Sequence, residues 1–164
     1  MKKLIIGDRI ELRSPDLYMA KDIFDLVNNN FLNFNLFLPW VQKVKSINDI
    51  EQMIIGYQNF FAQNKEYRFY IFEIENQELI GSITLRKINM SLLQAELGFW
   101  LDSAHVGNGY IVEAFHILSK EVNDFKSIIA YTNYNNHRCI KTLKNLHFSE
   151  LTINDSDISF IKFF

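Results

Sequence analysis

The chain has 164 residues, 48% hydrophobic and 22% charged, which suits one core and predicts a single domain spanning residues 1–164. A net charge of −2 gives no global basic field for direct nucleic-acid or anionic-membrane binding, and no apolar run approaches the roughly 20 residues of a membrane span. A lone cysteine, Cys139, excludes an internal disulfide and fits a reducing, cytoplasmic setting.

The apolar run after the two N-terminal lysines is too short for a signal peptide. Ile10 to Arg13 reads as a strand, and Ser14-Pro15-Asp16 then opens a helix whose apolar face is Ala20, Ile23, Phe24 and Val27. Asn28-Asn29-Asn30 ends it. The segment from Phe31 to Trp40 reads as a helical turn running into a loop. Ser46 with Asp49 approximates a capping box, and Ile47, Ile50, Ile54, Tyr57 and Phe61 carry a helix to about Gln63. Tyr67–Ile74 and Leu79–Ile88 read as a hairpin around a polar turn, with Ala95–Leu101 as the next strand. Ile111, Ala114, Phe115, Leu118 and Val122 mark a helix. Ser127–Thr132 is a short strand, and Asn135 or Asn136 caps a helix carrying Ile140, Leu143 and Leu146. Phe148–Ile153 and Ile158–Phe163 close the sequence as a hairpin. The 15 phenylalanines read mainly as core, because aromatic rings chiefly bury area. The whole is an α+β fold with a mixed, mostly antiparallel central sheet flanked by helices.

One stretch carries chemistry. From Glu96 to Phe115 the chain reads as strand, glycine-bearing loop and helix start. Unpaired loop N–H groups and a helix N-terminus together suit a phosphate or pyrophosphate. His105, His116, His137 and His147 show no metal-binding spacing, so no metal site is expected, and no hydrolase, Walker or paired-cysteine motif is present.

The element order, with Val106-Gly107-Asn108-Gly109-Tyr110-Ile111 at its centre, resembles the GNAT family of N-acetyltransferases. Leu38-Pro39-Trp40, Ala95-Glu96-Leu97-Gly98-Phe99-Trp100-Leu101, Asn136-His137-Arg138-Cys139-Ile140 and Leu146-His147-Phe148 narrow the likeness to the branch that acetylates the N-terminal alanine or serine amines of ribosomal proteins. The resemblance implies acetyl-CoA as co-substrate, with the loop amides of Gly107, Asn108, Gly109, Tyr110 and Ile111 on its pyrophosphate. The family's loop opens with a basic or amide residue and ends with a small one. Here these are Val106 and Ile111. Losing the side chain at the first place removes a contact worth at most about 1.5–3 kcal/mol. A branched residue at the last place is expected to crowd the loop.

The resemblance also implies that Phe99, Trp100 and Leu101 border the pantetheine arm, although their side chains fit sheet core equally well. Glu96 shares a strand face with Gly98 and Trp100 by period two. It is the candidate base for the amine's proton, tuned upward if buried, or else an ordinary surface glutamate. Cys139 stands where the branch has a serine that protonates the departing thiolate; a buried, inert cysteine is the alternative. Tyr131 and Tyr134 are further candidates for the acid. Asn136 either bonds the pantetheine amides or simply caps its helix, and Trp40 belongs to the acceptor rim. The expected function is acetyl transfer to a primary amine by direct attack, in a monomer or homodimer. A polyamine or aminoglycoside acceptor, or a CoA-binding module impaired in turnover, are the rival readings.

Overall fold

The computed structural model describes residues 3–164. A 3-10 turn, Leu17–Met19, begins at Asp16 and leads into α1, Ala20–Asn29. Residues Ala20, Ile23, Leu26 and Val27 of α1 are buried, a spacing of three and four that makes one face. Helix α3, Ile47–Ala62, starts with the expected capping box. The Asp49 N–H donates to Ser46 Oγ at 3.4 Å, and the Asp49 carboxylate accepts from the Ser46 N–H at 2.8 Å. The box satisfies the Ser46 N–H and adds a second acceptor for the Asp49 N–H, which also reaches the Ser46 carbonyl at 3.2 Å.

Eight strands among the described residues form one sheet: β1 Leu4–Ile6, β2 Ile10–Arg13, β3 Tyr67–Glu73, β4 Leu79–Asn89, β5 Gln94–Leu101, β6 Ser127–Asn133, β7 Ser149–Ile153 and β8 Asp157–Phe163. Their spatial order is β1-β2-β3-β4-β5-β6-β8-β7. Every neighbouring pair is antiparallel except β5 with β6. The sheet is thus mixed and mostly antiparallel, as the sequence predicts. Strand β1 and a 3-10 turn at Pro39–Lys43 are additions to that prediction. Three residues of β1, paired only to β2, are too few to show a period.

Strand β3 shows how the sheet divides the interior. Phe69 and Ile71 face one core with Ile10, Leu12, Ala114, Phe115 and Leu143. Tyr70 and Phe72 face the other with Ile23, Val27, Ile50, Ile54 and Trp100. Helices α4, Tyr110–Glu121, and α5, His137–Asn145, cover the first face. Helices α1, α3 and the short α2, Phe31–Phe34, cover the second. Seven phenylalanines are buried, Phe69, Phe115 and Phe160 completely, but Phe31, Phe37, Phe60, Phe163 and Phe164 are exposed.

Candidate functional site

Strands β5 and β6 pair in parallel from Gln94↔Ser127 to Leu97↔Ala130 and no further. Yet β5 runs on to Leu101 and β6 to Asn133. The two strands therefore part, and the β6-facing backbone from Gly98 to Leu101 has no strand partner. Phe99 and Leu101 send their rings and methyls toward the core under α4. Trp100 points the opposite way and is 8% exposed. Its ring centroid lies 5.5 Å from Phe34, 6.2 Å from Trp40 and 6.3 Å from Tyr70. The side chains of this segment are core, while its backbone borders the opening. The Trp100 indole N–H is buried without a hydrogen-bond partner. Phe31 and Phe37, both exposed, lie on the segment that leads to half-buried Trp40.

At its far end β5 passes through a 3-10 turn, Ser103–His105, into the glycine loop. Val106 is extended, Gly107 has φ 85°, and Gly109 caps α4 with φ 77°. Those two positive φ values are why glycine stands at both positions. Among the described residues, no backbone N–H from Gly107 to Ile111 donates a hydrogen bond. Several unpaired donors thus stand together at the N-terminus of a twelve-residue helix, whose dipole adds partial positive charge. Gly107, Asn108 and Gly109 are exposed.

Ile111 does not crowd this loop. It is the second residue of α4, is 6% exposed, and packs into the core with Ala114 and Phe115. Helical geometry turns its branched side chain toward the sheet, which the loop pattern alone did not reveal. Tyr110 is also turned inward, and its hydroxyl donates to the Glu73 carboxylate, which pushes the phenol's pKa up.

Glu96 lies on the face that Gly98 and Trp100 share and is 6% exposed. Both carboxylate oxygens are engaged: Oε1 accepts from Arg86 Nε at 2.8 Å and Nη2 at 2.5 Å, and Oε2 meets Lys87 Nζ at 2.6 Å. Adjacent strand residues normally point to opposite faces. Here the β4–β5 register shifts between Arg86 and Asn89, and Lys87 sits at φ 49°. This bulge swings Lys87 round beside Arg86. Burial pushes the Glu96 carboxyl up, but Lys87 and Arg86 outweigh it and hold it below the usual carboxylate range. Upward tuning by burial, the expectation from sequence, is thereby reversed.

Asn136 is the N-cap of α5, its side-chain oxygen accepting the Cys139 N–H at 3.2 Å. Cys139 is half-buried. Burial pushes its thiol up, against a smaller downward pull from a hydrogen bond to Thr132. The thiol is accordingly protonated at neutral pH. Tyr131 and Tyr134 are exposed, at 57% and 52%.

Two features beyond these surround the loop. His105 Nδ1 lies 2.7 Å from Asp102, and ligand-type atoms of His105, Glu73 and Glu78 come within 4.8 Å of one another. An open pocket of about 470 Å³ nearby is lined by Asp22, Asp25, Glu78, Asp102 and amide side chains. Its carboxylates repel a polyanion, so it is not a path for a diphosphate. Sequence reasoning missed Arg9, Arg86 and Lys87. None of the three lies within a recognisable motif, and only the register shift brings Lys87 to Glu96.

The sequence profile of the acetyltransferase (GNAT) domain matches residues 9–149. The chain belongs to that family. It is 28% identical over 113 residues to the ribosomal-protein-serine acetyltransferase of Escherichia coli (strain K12), covering 69% of this chain and 62% of that protein. It is 38% identical over 117 residues to a probable N-acetyltransferase of Bacillus subtilis (strain 168), YjcK, covering 70% and 65%. The matched part of the chain thus spans less than two thirds of either curated relative. In structure it resembles RimL, a ribosomal-protein α-N-acetyltransferase solved with coenzyme A, with TM-score 0.90 and 98% of each chain covered. At 18% identity that likeness is one of fold. Among the described residues, no helix is long and apolar enough to cross a membrane.

Proposed function

We propose that the chain is an N-acetyltransferase that moves an acetyl group from acetyl-CoA to a primary amine, the N-terminal amine of a ribosomal protein being the favoured acceptor. The observation that carries this reading is the set of unpaired N–H groups from Gly107 to Ile111 at the start of α4, beside the parted strands. The donor set fits a diphosphate, and the free backbone edge of Gly98–Leu101 suits the amide-bearing pantetheine arm. The acceptor assignment rests on kinship with the serine acetyltransferase of E. coli.

In this mechanism the amine nitrogen attacks the thioester carbonyl carbon, the C–S bond breaks, and the amine loses a proton as the thiolate gains one. Backbone N–H groups along the free edge of β5 polarise the carbonyl. Glu96 takes the amine's proton through a hydrogen bond or an intervening water, while Arg86 and Lys87 offset its charge. Cys139, protonated at neutral pH, gives its proton to the departing sulfur and is reprotonated from solvent, to which Glu96 releases the amine's proton; Tyr131 is the second candidate for that donor. Asn136 orients pantetheine, and Trp40 with its exposed aromatic neighbours forms the acceptor rim. One domain over residues 1–164, in a cytoplasmic protein, completes the reading.

The test is calorimetry with acetyl-CoA followed by release of free thiol over a panel of amines. The panel contains peptides beginning with serine or alanine, a polyamine and an aminoglycoside. Micromolar binding with release on the peptides is expected. Binding without release on any amine would leave only a CoA-binding module, and no binding would overturn the reading.

A second expectation concerns Cys139. Cys139→Ser should retain thiol release within about threefold, because a hydroxyl also donates a proton, whereas Cys139→Ala should lose about tenfold or more. Equal rates in the two variants would remove Cys139 from the proton transfer.

A further inference from the structure

The geometry points to Arg9 as a positioning residue for the glycine loop, one that turns the loop's amides toward the diphosphate and cancels the carboxylate beside it. This rests on the proposed acetyl-CoA reading and deepens it. Arg9 lies at the turn between β1 and β2, 99 residues before the carbonyl it reaches. Its Nη1 donates to the Asn108 carbonyl at 2.9 Å. In a trans peptide the C=O and N–H point in opposite directions. Fixing the Asn108 carbonyl toward Arg9 therefore turns the Gly109 N–H away from Arg9, leaving it free for the ligand. Without such a tether the peptide is easily flipped, because Gly109 accepts φ of either sign.

The same guanidinium answers an electrostatic problem. Glu113 stands in the first turn of α4, where its charge would repel a diphosphate at the loop. Burial pushes its carboxyl up, yet hydrogen bonds from Arg9 and Asp8 outweigh burial and keep it ionised. Oε1 accepts the Asp8 N–H at 3.1 Å and the Arg9 N–H at 2.8 Å, and Oε2 meets Arg9 Nε at 2.8 Å. Glu113 therefore locks the β1–β2 turn to the helix, and Arg9 neutralises it in return. The approach is close: a Cβ on Gly7 would fall 3.0 Å from the Ile10 carbonyl and 3.1 Å from Glu113 Oε1. Tyr110 completes the seat, its ring centroid 4.7 Å from Arg9 Cζ. Nη2 lies 3.8 Å from where a Cβ of Gly109 would be, so the charge sits against the loop itself. Arg9 does not replace a cation at Val106; it removes the repulsion of Glu113 and fixes the Asn108 peptide, from a position 99 residues away in the chain.

The experiment compares CoA with pantetheine, which lacks the diphosphate, as ligands of the full chain, by calorimetry for the first and ligand-detected NMR titration for the second. Arg9→Gln is expected to weaken CoA about tenfold or more and to leave pantetheine affinity unchanged. Arg9→Lys keeps the charge but cannot bridge Glu113 and Asn108 together, so a loss of about threefold to tenfold is expected. Adding Glu113→Gln to Arg9→Gln should recover part of the CoA affinity, because the repelling charge goes. CoA binding equal to wild type in Arg9→Gln overturns the role of Arg9 while leaving the proposed function standing. Equal losses for CoA and pantetheine overturn it too, as general damage to the fold. If Arg9→Gln does not fold, Arg9→Lys decides, and wild-type CoA affinity in that variant overturns the inference. A wild-type chain that binds no CoA at all overturns the proposed function itself.

Discussion

Gly109→Val is expected to abolish measurable CoA binding, a weakening of about 100-fold or more, equivalent to roughly 2.7 kcal/mol. Space is not the reason. A Cβ at Gly109 would meet nothing closer than Arg9 Nη2 at 3.8 Å, an ordinary contact. The reason is φ 77° at the N-cap of α4. A β-branched residue there is strained by roughly 1–3 kcal/mol, and the peptide relieves that strain by rotating. Rotation carries the Gly109 N–H out of line with its neighbours. Gly107, Asn108 and Gly109 are exposed, so the far-UV circular dichroism should change little and the melting temperature should fall by no more than about 10 °C. Calorimetry with CoA reads the loss, and binding at wild-type strength would reject the loop as the diphosphate site.

Glu96→Gln is expected to lower acetyl transfer about 100-fold while leaving CoA affinity within a factor of a few. Since Arg86 and Lys87 hold the carboxyl below its usual range, Glu96 stays ionised throughout about pH 6–9. The wild-type rate should therefore rise with pH only as the acceptor amine loses its proton, with no step from Glu96. An unchanged rate in the variant would take Glu96 out of the chemistry and leave it as a structural ion-pair partner. The same pairing predicts a stability signature. Glu96 titrates lower when folded than in the unfolded chain, whose value is near about 4.3. Its ion pairs stabilise the fold above that unfolded value, and the contribution is lost as pH falls through the folded one. In urea melts, the stability gap between wild type and Glu96→Gln should narrow on going from about pH 6 to about pH 3.

The two variants probe different kinds of residue. Gly109 was legible in the sequence, because a glycine between a strand and a helix announces a sharp turn with free amides. Glu96 was legible as a residue but not as an environment. Its face followed from period two, whereas its low pKa depends on a bulge in the neighbouring strand. No glycine or proline marks that bulge, and Lys87 occupies a left-handed conformation that its side chain does not favour. Ile111 makes the same point in reverse. As a letter in a loop pattern it looked obstructive, and as the second residue of a helix it is simply core.

The sequence by itself determined nearly all the elements and their order, the family, the glycine loop and the cap of α3. These are set by interactions within a few residues or by periodicity along one element, and both are written locally. The tertiary structure alone decided where β5 and β6 part, which cations hold Glu96, and how Arg9 reaches Asn108. Those depend on strand register and on contacts between residues far apart in the chain. A one-residue change in register moves a side chain to the opposite face, so nothing local records the outcome.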